Sequence, residues 1–289
     1  MKSMPQAATT QGSTPTGSSA GAAVADAPWI ELHDVGMTYR TAEGDVPALA
    51  PTRLSIRRGE FVVLLGPSGC GKTTMLRLIG GLMPPSEGSI RFGDRPLWVD
   101  EGRDTSLVNE LAMVFQEASL FPWFSVEENI AMPLKLRGVA SADRLRRARE
   151  LCELVGIAGF ERRWPRELSG GMRQRAAIAR ALSYRPQVLL MDEPFGALDA
   201  MTRETMNLEL QRIWQESACT IVLVTHSISE AVFLGDRVVL FTPRPGRIDR
   251  VLPVEFARPR DFDLTATSEF QGIVSALRHR LDEISGGTD

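Results

Sequence analysis

Residues 61–73 read Phe-Val-Val-Leu-Leu-Gly-Pro-Ser-Gly-Cys-Gly-Lys-Thr, an apolar run that leads into a glycine-rich turn. The run Phe61–Leu65 is rich in valine and leucine, which predicts a buried strand. Apolar residues at helical spacing follow the turn, from Met75 to Ile79, and predict a helix that ends near Gly80. Strand, glycine-rich turn and helix in this order are the context of a phosphate-binding loop. The stretch therefore predicts a nucleotide-binding α/β domain.

The turn supplies the groups that a polyphosphate needs. Glycines accept positive φ angles and let backbone N–H groups approach the phosphates closely. Lys72 would reach the β- and γ-phosphates, and the Thr73 hydroxyl would bind Mg²⁺. We assign nucleotide binding to the loop and the residue after it: Gly66, Pro67, Ser68, Gly69, Cys70, Gly71, Lys72, Thr73 and Thr74. The helix N-terminus and Lys72 also predict a lowered pKa for Cys70, although tight packing of a small residue is an alternative.

A second candidate anion site is the turn Leu168-Ser169-Gly170-Gly171, which opens a predicted helix well downstream. Ser169 is typical of an N-cap residue. The two glycines would let a phosphate reach exposed N–H groups at the positive end of the helix dipole. An ordinary capped helix after a turn is the alternative.

Two carboxylates follow the apolar run 188–191. The run predicts a core strand of a parallel sheet, and ligands bind at the carboxyl edge of such sheets. Asp192 would hold Mg²⁺, directly or through water. Glu193 would point differently, because side chains alternate along a strand, and it is the candidate general base for an attacking water. An exposed turn at a strand end is the alternative.

These motifs resemble those of the ATP-binding cassette (ABC) family. The segment 168–175 is similar to the signature motif of that family. The pair Asp192-Glu193 and the string Pro194-Phe195-Gly196-Ala197-Leu198-Asp199 that follows it together resemble its Walker B and D-loop. The resemblance covers about residues 30–253. Met172 and Ser227 depart from it, because the commonest signature carries glutamine at the first position and many importers carry an acidic residue at the second.

Three single residues gain a role from the resemblance. Gln116 matches the Q-loop glutamine, which senses the γ-phosphate and Mg²⁺, and His226 matches the switch histidine. Tyr39 lies where the family places an aromatic residue that stacks on adenine. Solvation or structural hydrogen bonding is the alternative for Gln116 and His226, and packing for Tyr39.

The resemblance also implies that two copies meet and that each closes the other's site. The implied catalytic residues are Lys72, Gln116, Glu193 and His226. The implied Mg²⁺ ligands are Thr73, Gln116 and Asp192. Further contacts to ATP would come from Tyr39, Gln116, Ser169, Gly170, Gly171 and Asp199.

Composition fits a cytoplasmic enzyme domain. The formal net charge of -3 and the pI near 5.8 give no global signal for nucleic acid. The three cysteines, Cys70, Cys152 and Cys219, are scattered and indicate a reducing compartment rather than a disulfide framework. No run approaches the roughly 18 apolar residues that cross a bilayer. If the chain is part of a transporter, another chain would span the membrane.

The predicted fold class is α/β: a P-loop NTPase core of mostly parallel sheet flanked by helices, with an antiparallel β layer and an inserted helical lobe. Residues 1–28 are poor in large apolar side chains and predict a disordered tail. Residues 29–255 would form the ATPase domain, with the lobe at about 117–168. Residues 256–289 would form a C-terminal helical extension.

The functional prediction is the ATP-hydrolysing subunit of a bacterial ABC importer. The turn Thr242–Ile248 and the apolar loop Leu120–Phe124 look like those of ATPase subunits for nitrate, sulfonate and taurine. In the family, a groove near that loop receives the permease, although intramolecular packing is the alternative. The implied partners are transmembrane permease subunits, a second copy of the chain and, indirectly, a periplasmic solute-binding protein. The implied location is the cytoplasmic face of the inner membrane.

The sequence disfavours two other classes of function. Soluble ABC ATPases that act on nucleic acid or ribosomes typically have tandem cassettes or long coiled-coil insertions, and this sequence shows neither. A non-catalytic, nucleotide-gated interaction module is disfavoured because Glu193 and His226 are both present.

Overall fold

The computed structural model describes residues 28–99 and 102–286. Within them the strands are β1 (Pro28–Thr41), β2 (Gly44–Arg57), β3 (Phe61–Leu65), β4 (Glu87–Phe92), β5 (Arg95–Pro96), β6 (Trp98–Val99), β7 (Gly102–Arg103), β8 (Leu111–Val114), β9 (Val188–Asp192), β10 (Thr220–Thr225), β11 (Arg237–Phe241) and β12 (Ile248–Pro253). The α-helices are α1 (Lys72–Ile79), α2 (Thr105–Val108), α3 (Val126–Leu136), α4 (Ser141–Leu154), α5 (Gly170–Leu182), α6 (Ala200–Ser217), α7 (Ile228–Leu234) and α8 (Ser268–Gly286). The predicted tail lies outside the described residues except for Pro28, which begins β1.

The central sheet has six strands in the order β12-β11-β3-β10-β9-β8. Strands β8, β9, β10, β3 and β11 are parallel, and β12 pairs antiparallel with β11. Every residue of β3 is buried, since the sheet is covered on both faces. The predicted α/β class with a mostly parallel sheet is confirmed.

Alternate residues of the central strands face two separate cores. On one face, Val62 and Leu64 pack with α1 and with the antiparallel sheet, whose strand order is β2-β1-β4-β5. On the other face, Val63 and Leu65 pack with the larger helices, including α5 and α6. The antiparallel β layer predicted from the short strands is present.

Helices α3, α4 and α5 follow β8 and precede β9 in the sequence, and α3 and α4 pack against α5. A capping box begins α3, because Ser125 N donates to Glu128 Oε2 and Glu128 N donates to Ser125 Oγ. Leu151 of α4 is buried, as expected for the apolar face of an amphipathic helix. The assignment of residues 117–168 to a separate lobe remains a prediction.

The C-terminal segment is built into the core. Phe270, Val274 and Leu277 of α8 are buried. Helix α8 begins at Ser268, and the segment before it contacts the end of α7. There the buried guanidinium of Arg260 donates to the carbonyls of Val232, Phe233, Gly235, Val254 and Phe256. Among the described residues, no helix is both long enough and apolar enough to cross a bilayer.

Candidate active site

The ends of three adjacent strands place the site. Strands β3, β10 and β9 are neighbours and parallel, so their carboxyl ends meet at one edge. The glycine-rich loop follows β3, Glu193 follows β9 and His226 follows β10. This edge therefore gathers residues that are far apart in the sequence.

The glycine-rich loop encloses the ammonium group of Lys72. Lys72 is buried, and its Nζ donates to the carbonyls of Gly66 and Pro67, each at 2.7 Å. Gly71 precedes α1 with φ of 101°, and a β-carbon there would lie 2.7 Å from the carbonyl oxygen of Ala48. Only glycine fits this conformation and this close approach.

A cavity of about 260 Å³ opens beside the loop. A positive pair, Lys72 and Arg244, lines it together with Glu193. Its other lining residues are Tyr39, Ala48, Ser68, Gly69, Gly71, Thr73 and Thr74. A larger cavity of about 910 Å³ lies at the opposite edge of the sheet, and no predicted site residue is among the described residues that line it. We therefore place the candidate site at the smaller cavity.

Tyr39 belongs to β1 and lies at this cavity. Its hydroxyl is 3.1 Å from Thr74 Oγ1 and 3.8 Å from the sulfur of Met83. These contacts fix the ring next to the loop. Its stacking on adenine remains a prediction.

Thr73, which lines the cavity, is hydrogen-bonded to Asp192 at the end of β9. The Thr73 hydroxyl donates to Asp192 Oδ1 at 2.8 Å. Burial raises the pKa of Asp192, and the hydrogen bond from Thr73 opposes that shift. An alcohol and a carboxylate oxygen at one point form a set of hard donors, which Mg²⁺ prefers. The residues present thus fit a magnesium ion.

Glu193 and His226 are hydrogen-bonded. Glu193 Oε2 lies 3.0 Å from His226 Nδ1. Glu193 has a left-handed backbone with φ of 44°, and its N–H donates to the carbonyl of Val224 at 2.9 Å. A glutamate in this region is uncommon and is typical of functional sites. The side chains remain accessible, with 25% exposure for Glu193 and 55% for His226.

Gln116 is exposed and follows β8. A β-carbon on Gly196 would lie 3.4 Å from Gln116 Nε2 and 3.6 Å from Glu193 Oε2. The structure therefore brings Gln116 to the Glu193 loop. Gln116 is not among the described residues that line the 260 Å³ cavity.

The turn Leu168-Ser169-Gly170-Gly171, the second candidate anion site, is not part of the described lining of the 260 Å³ cavity. Ser169 caps α5 as predicted, because its Oγ accepts from Met172 N at 3.3 Å. Asp199 caps α6 by accepting from the N–H and hydroxyl of Thr202, which lowers its pKa. A β-carbon on Gly171 would lie 2.9 Å from Thr202 Cγ2, so the two caps pack side by side. Ser169, Gly170, Gly171 and Asp199 are absent from the described lining of the cavity.

Known proteins match this chain over most of its length. A family model described as "ABC transporter" matches residues 49–196. The nitrate import ATP-binding protein NrtD of Synechocystis is 42% identical over 264 residues, which span 88% of this chain and 97% of that protein. The taurine import ATP-binding protein TauB of Escherichia coli O6:K15:H31 is 46% identical over 215 residues, 74% of this chain and 82% of that protein.

This chain belongs to the ABC transporter family. It is an ATPase that groups with the nitrate, sulfonate and taurine ATP-binding subunits. The solved dimeric structure of the bacterial ABC transporter cassette MJ0796 aligns with a TM-score of 0.70 and 34% identity, covering 79% of this chain and all of that one. The predicted family and fold are confirmed.

Cys70 of this ABC ATPase corrects one sequence-based prediction. The residue is 1% exposed, and burial raises the pKa of its thiol despite the Lys72 ammonium 3.7 Å away. The predicted lowering of the pKa is therefore wrong, because desolvation outweighs the nearby positive charge.

Sequence reasoning missed Arg244 as a site residue. Its turn adds to the edge of β2, where Ala50 N donates to Gly246 O and Gly246 N donates to Ala48 O, both at 3.0 Å. A β-carbon on Gly246 would lie 1.8 Å from the carbonyl oxygen of Cys70. The Pro-Gly pair signals a turn, but nothing local in the sequence signals that the turn closes on the glycine-rich loop.

The apolar loop Leu120–Phe124 is fixed at its base and open at its tip. The buried side chain of Asn129 bonds to the backbone of Phe121 and Phe124. Trp123 is nevertheless 63% exposed. The phenylalanines of the loop pack against each other, as the packing alternative expects, whereas docking of a permease there remains a prediction.

Proposed function

We propose that this chain is the ATP-hydrolysing subunit of a bacterial importer, which couples ATP turnover to uptake of nitrate, a sulfonate, taurine or a related small solute. The single observation that supports it most is the meeting of Lys72, the Thr73–Asp192 pair and the Glu193–His226 pair at one sheet edge. The names of the relatives support the class of solute.

In the proposed reaction, the loop N–H groups and Lys72 bind the β- and γ-phosphates of ATP. The ammonium group would exchange its bonds to the Gly66 and Pro67 carbonyls for phosphate oxygens. Magnesium, held by Thr73 and Asp192 with Gln116 nearby, would neutralise phosphate charge. Catalysis would rest on positioning and electrostatics.

Glu193 would orient the attacking water and accept its proton as the general base. His226 would hold the glutamate carboxylate by the observed contact of 3.0 Å. Gln116 lies on the Gly196 side of Glu193, where it would meet the γ-phosphate end of the nucleotide. Tyr39 would stack on the adenine ring at the other end of the cavity.

A second copy would complete the site. Ser169, Gly170, Gly171 and Asp199 are capped helix ends outside the described lining of the cavity, which suits residues that act on a partner's nucleotide. The relative MJ0796 has been solved as a dimer. We therefore infer an ATP-dependent homodimer.

Permease subunits would bind on the side of the exposed Trp123. This attachment would keep the subunit at the cytoplasmic face of the inner membrane. A periplasmic solute-binding protein would deliver the solute to the permease and would not touch this chain.

Reconstitution of the transporter in lipid vesicles tests the proposed function. The chain would be co-expressed with candidate permease subunits from the same organism, and the complex would be placed in vesicles with a candidate solute-binding protein. We expect ATP-dependent uptake of labelled nitrate, taurine or an alkanesulfonate, lost in a Lys72→Ala variant. ATP turnover without a co-purifying permease, and without uptake of any of the three solutes, would contradict the proposal.

A further inference from the structure

Glu230 is a buried acid next to the candidate active site. It lies in α7, four positions after His226, and is only 5% exposed. Its Oε1 has no hydrogen-bond partner among the described residues. Buried carboxyl oxygens are normally paired, so an unpaired one calls for a partner such as an ordered water or ion.

A small cavity of about 10 Å³ adjoins Glu230. It reaches from α7 to Glu193 and to the loop after β9. Its lining is Glu193, Phe195, Gly196, Arg203, Thr225, His226, Ser227 and Glu230. This volume is about that of one water molecule, and most of the lining side chains are polar, so the site suits a single bound water.

Arg203 approaches the same cavity from α6. Its Nε donates to the carbonyl of Phe195 at 3.3 Å, and a terminal nitrogen donates to the carbonyl of Leu198 at 2.8 Å. Arg203 therefore holds the loop between Glu193 and Asp199. Burial raises the pKa of Glu230, while Thr225, the positive charge of Arg203 and His226 oppose that shift. The acid and the guanidinium thus line the same small cavity.

We propose that Glu230 is a positioning residue for ATP hydrolysis. Its carboxyl would anchor one buried water that links the Glu193–His226 pair to the loop held by Arg203. The inference rests on the proposed roles of Glu193 and His226. It adds that the geometry of the Glu193–His226 pair depends on the Glu230 carboxyl and its water. These groups would join α6, α7 and the end of β9.

Glu230→Leu tests the anchor, because leucine is similar in size but forms no hydrogen bond. We expect kcat to fall roughly tenfold, while the Kd for ATP stays within about twofold. The melting temperature should change little, because the lost hydrogen bonds are offset by the removed cost of burying a carboxyl group. Glu230→Gln keeps polar atoms at the cavity and should retain roughly a third of kcat or more.

Glu216→Gln is the matched control. Glu216 is exposed at the far end of α6 and bonds only to Arg212 within the described structure. The substitution removes the same charge and should leave kcat unchanged. If Glu230→Leu does not fold, Glu230→Asp takes its place, since the shorter acid should show the same loss of kcat with retained ATP affinity.

A double-mutant cycle tests the link to Arg203. The loss of kcat in Arg203→Met combined with Glu230→Leu should be close to that of the more damaging single variant, since both act through one contact. Wild-type kcat in Glu230→Leu, or a parallel loss of kcat, ATP affinity and melting temperature, would overturn the inference. So would full additivity in the cycle.

The two proposals fail in distinguishable ways. If Glu193→Gln still hydrolyses ATP at the wild-type rate, the role of Glu193 is wrong whatever the Glu230 variants do. If Glu193→Gln stalls hydrolysis and Glu230→Leu does not slow it, only the inference about Glu230 fails.

Discussion

Nδ1 of His226 lies 3.0 Å from Oε2 of Glu193, although the two residues are 33 positions apart in the sequence. The contact is possible because β9 and β10 are adjacent and parallel, with Val224 paired to Asp192. The left-handed backbone of Glu193 turns its side chain towards the histidine rather than along the strand. The candidate base is thus held by a conformation that costs free energy and by one hydrogen bond.

Glu193→Gln should stop hydrolysis and preserve binding. Glutamine keeps the size and one acceptor oxygen but cannot take a proton from water, so we expect kcat to fall roughly 100-fold or more. The Kd for ATP should change little, because Lys72 and the loop N–H groups are untouched. Phosphate release and a nucleotide titration measure the two quantities. A variant with more than half of the wild-type kcat would exclude Glu193 as the base.

Ser169→Arg, added to Glu193→Gln, should abolish the ATP-dependent dimer that the single variant accumulates. The bulky side chain would block the phosphate of the other copy, while nucleotide binding to the monomer should survive. Light scattering after size exclusion, with and without MgATP, measures the dimer. Ser275→Arg, on the exposed face of α8, is the control and should dimerise normally. If both arginine variants dimerise equally, Ser169 does not act on the nucleotide bound by the other copy.

Arg244→Gln should weaken ATP binding. Arg244 lines the cavity, and its Nε donates to the carbonyl of Pro47. Loss of one positive charge from the site should raise the Kd roughly fivefold, and added salt should reduce the difference. Arg247→Gln makes the same change on the same turn outside the described cavity lining and should bind normally. An unchanged Kd for Arg244→Gln would show that Arg244 does not contribute to ATP binding.

Gly246→Ala should destabilise the protein. Its new methyl group would start 1.8 Å from the carbonyl oxygen of Cys70, so the turn or the glycine-rich loop must move. We expect a loss of about 2 kcal/mol in the free energy of unfolding, together with weaker ATP binding. Gly272→Ala in α8 meets nothing within 4 Å and should be neutral or stabilising. Urea unfolding compares the two, and equal stability would show that the turn is not pressed against the loop.

Cys70 should react slowly with maleimide in the folded protein. The thiol is buried and its raised pKa leaves less thiolate at pH 8 than a free cysteine has. Peptide mapping after a short pulse of maleimide should find Cys70 largely unlabelled, and labelled once urea is present. Rapid labelling that MgATP suppresses would instead support the reactive thiol expected from the sequence.

The sequence predicts the central sheet and most site residues, because strand, turn and helix patterns are local. Phe61–Leu65 and its glycine-rich turn carry their own signal, and so do Asp192 and Glu193 after an apolar run. The pattern does not predict the left-handed backbone of Glu193, which depends on pairing with β10. It also predicts the wrong direction for the pKa shift of Cys70, because it does not show that the thiol is buried in the fold.

The sequence predicts the position of Gln116 but not its contacts. Its position after β8 is predictable, but its approach to Gly196 depends on the loop that Arg203 holds. Contacts of this kind join residues from separate elements, so a single sequence contains no local signal for them.

The separation of the Ser169 turn from the cavity on its own chain has a genetic consequence. If each copy completes its partner's site, a chain damaged at Ser169 keeps an intact glycine-rich loop but disables the normal chain with which it pairs. A damaged allele expressed beside a normal one should therefore give mixed dimers that keep one of their two sites. Conversely, a chain damaged at Lys72 and one damaged at Ser169 should restore one working site when they pair with each other.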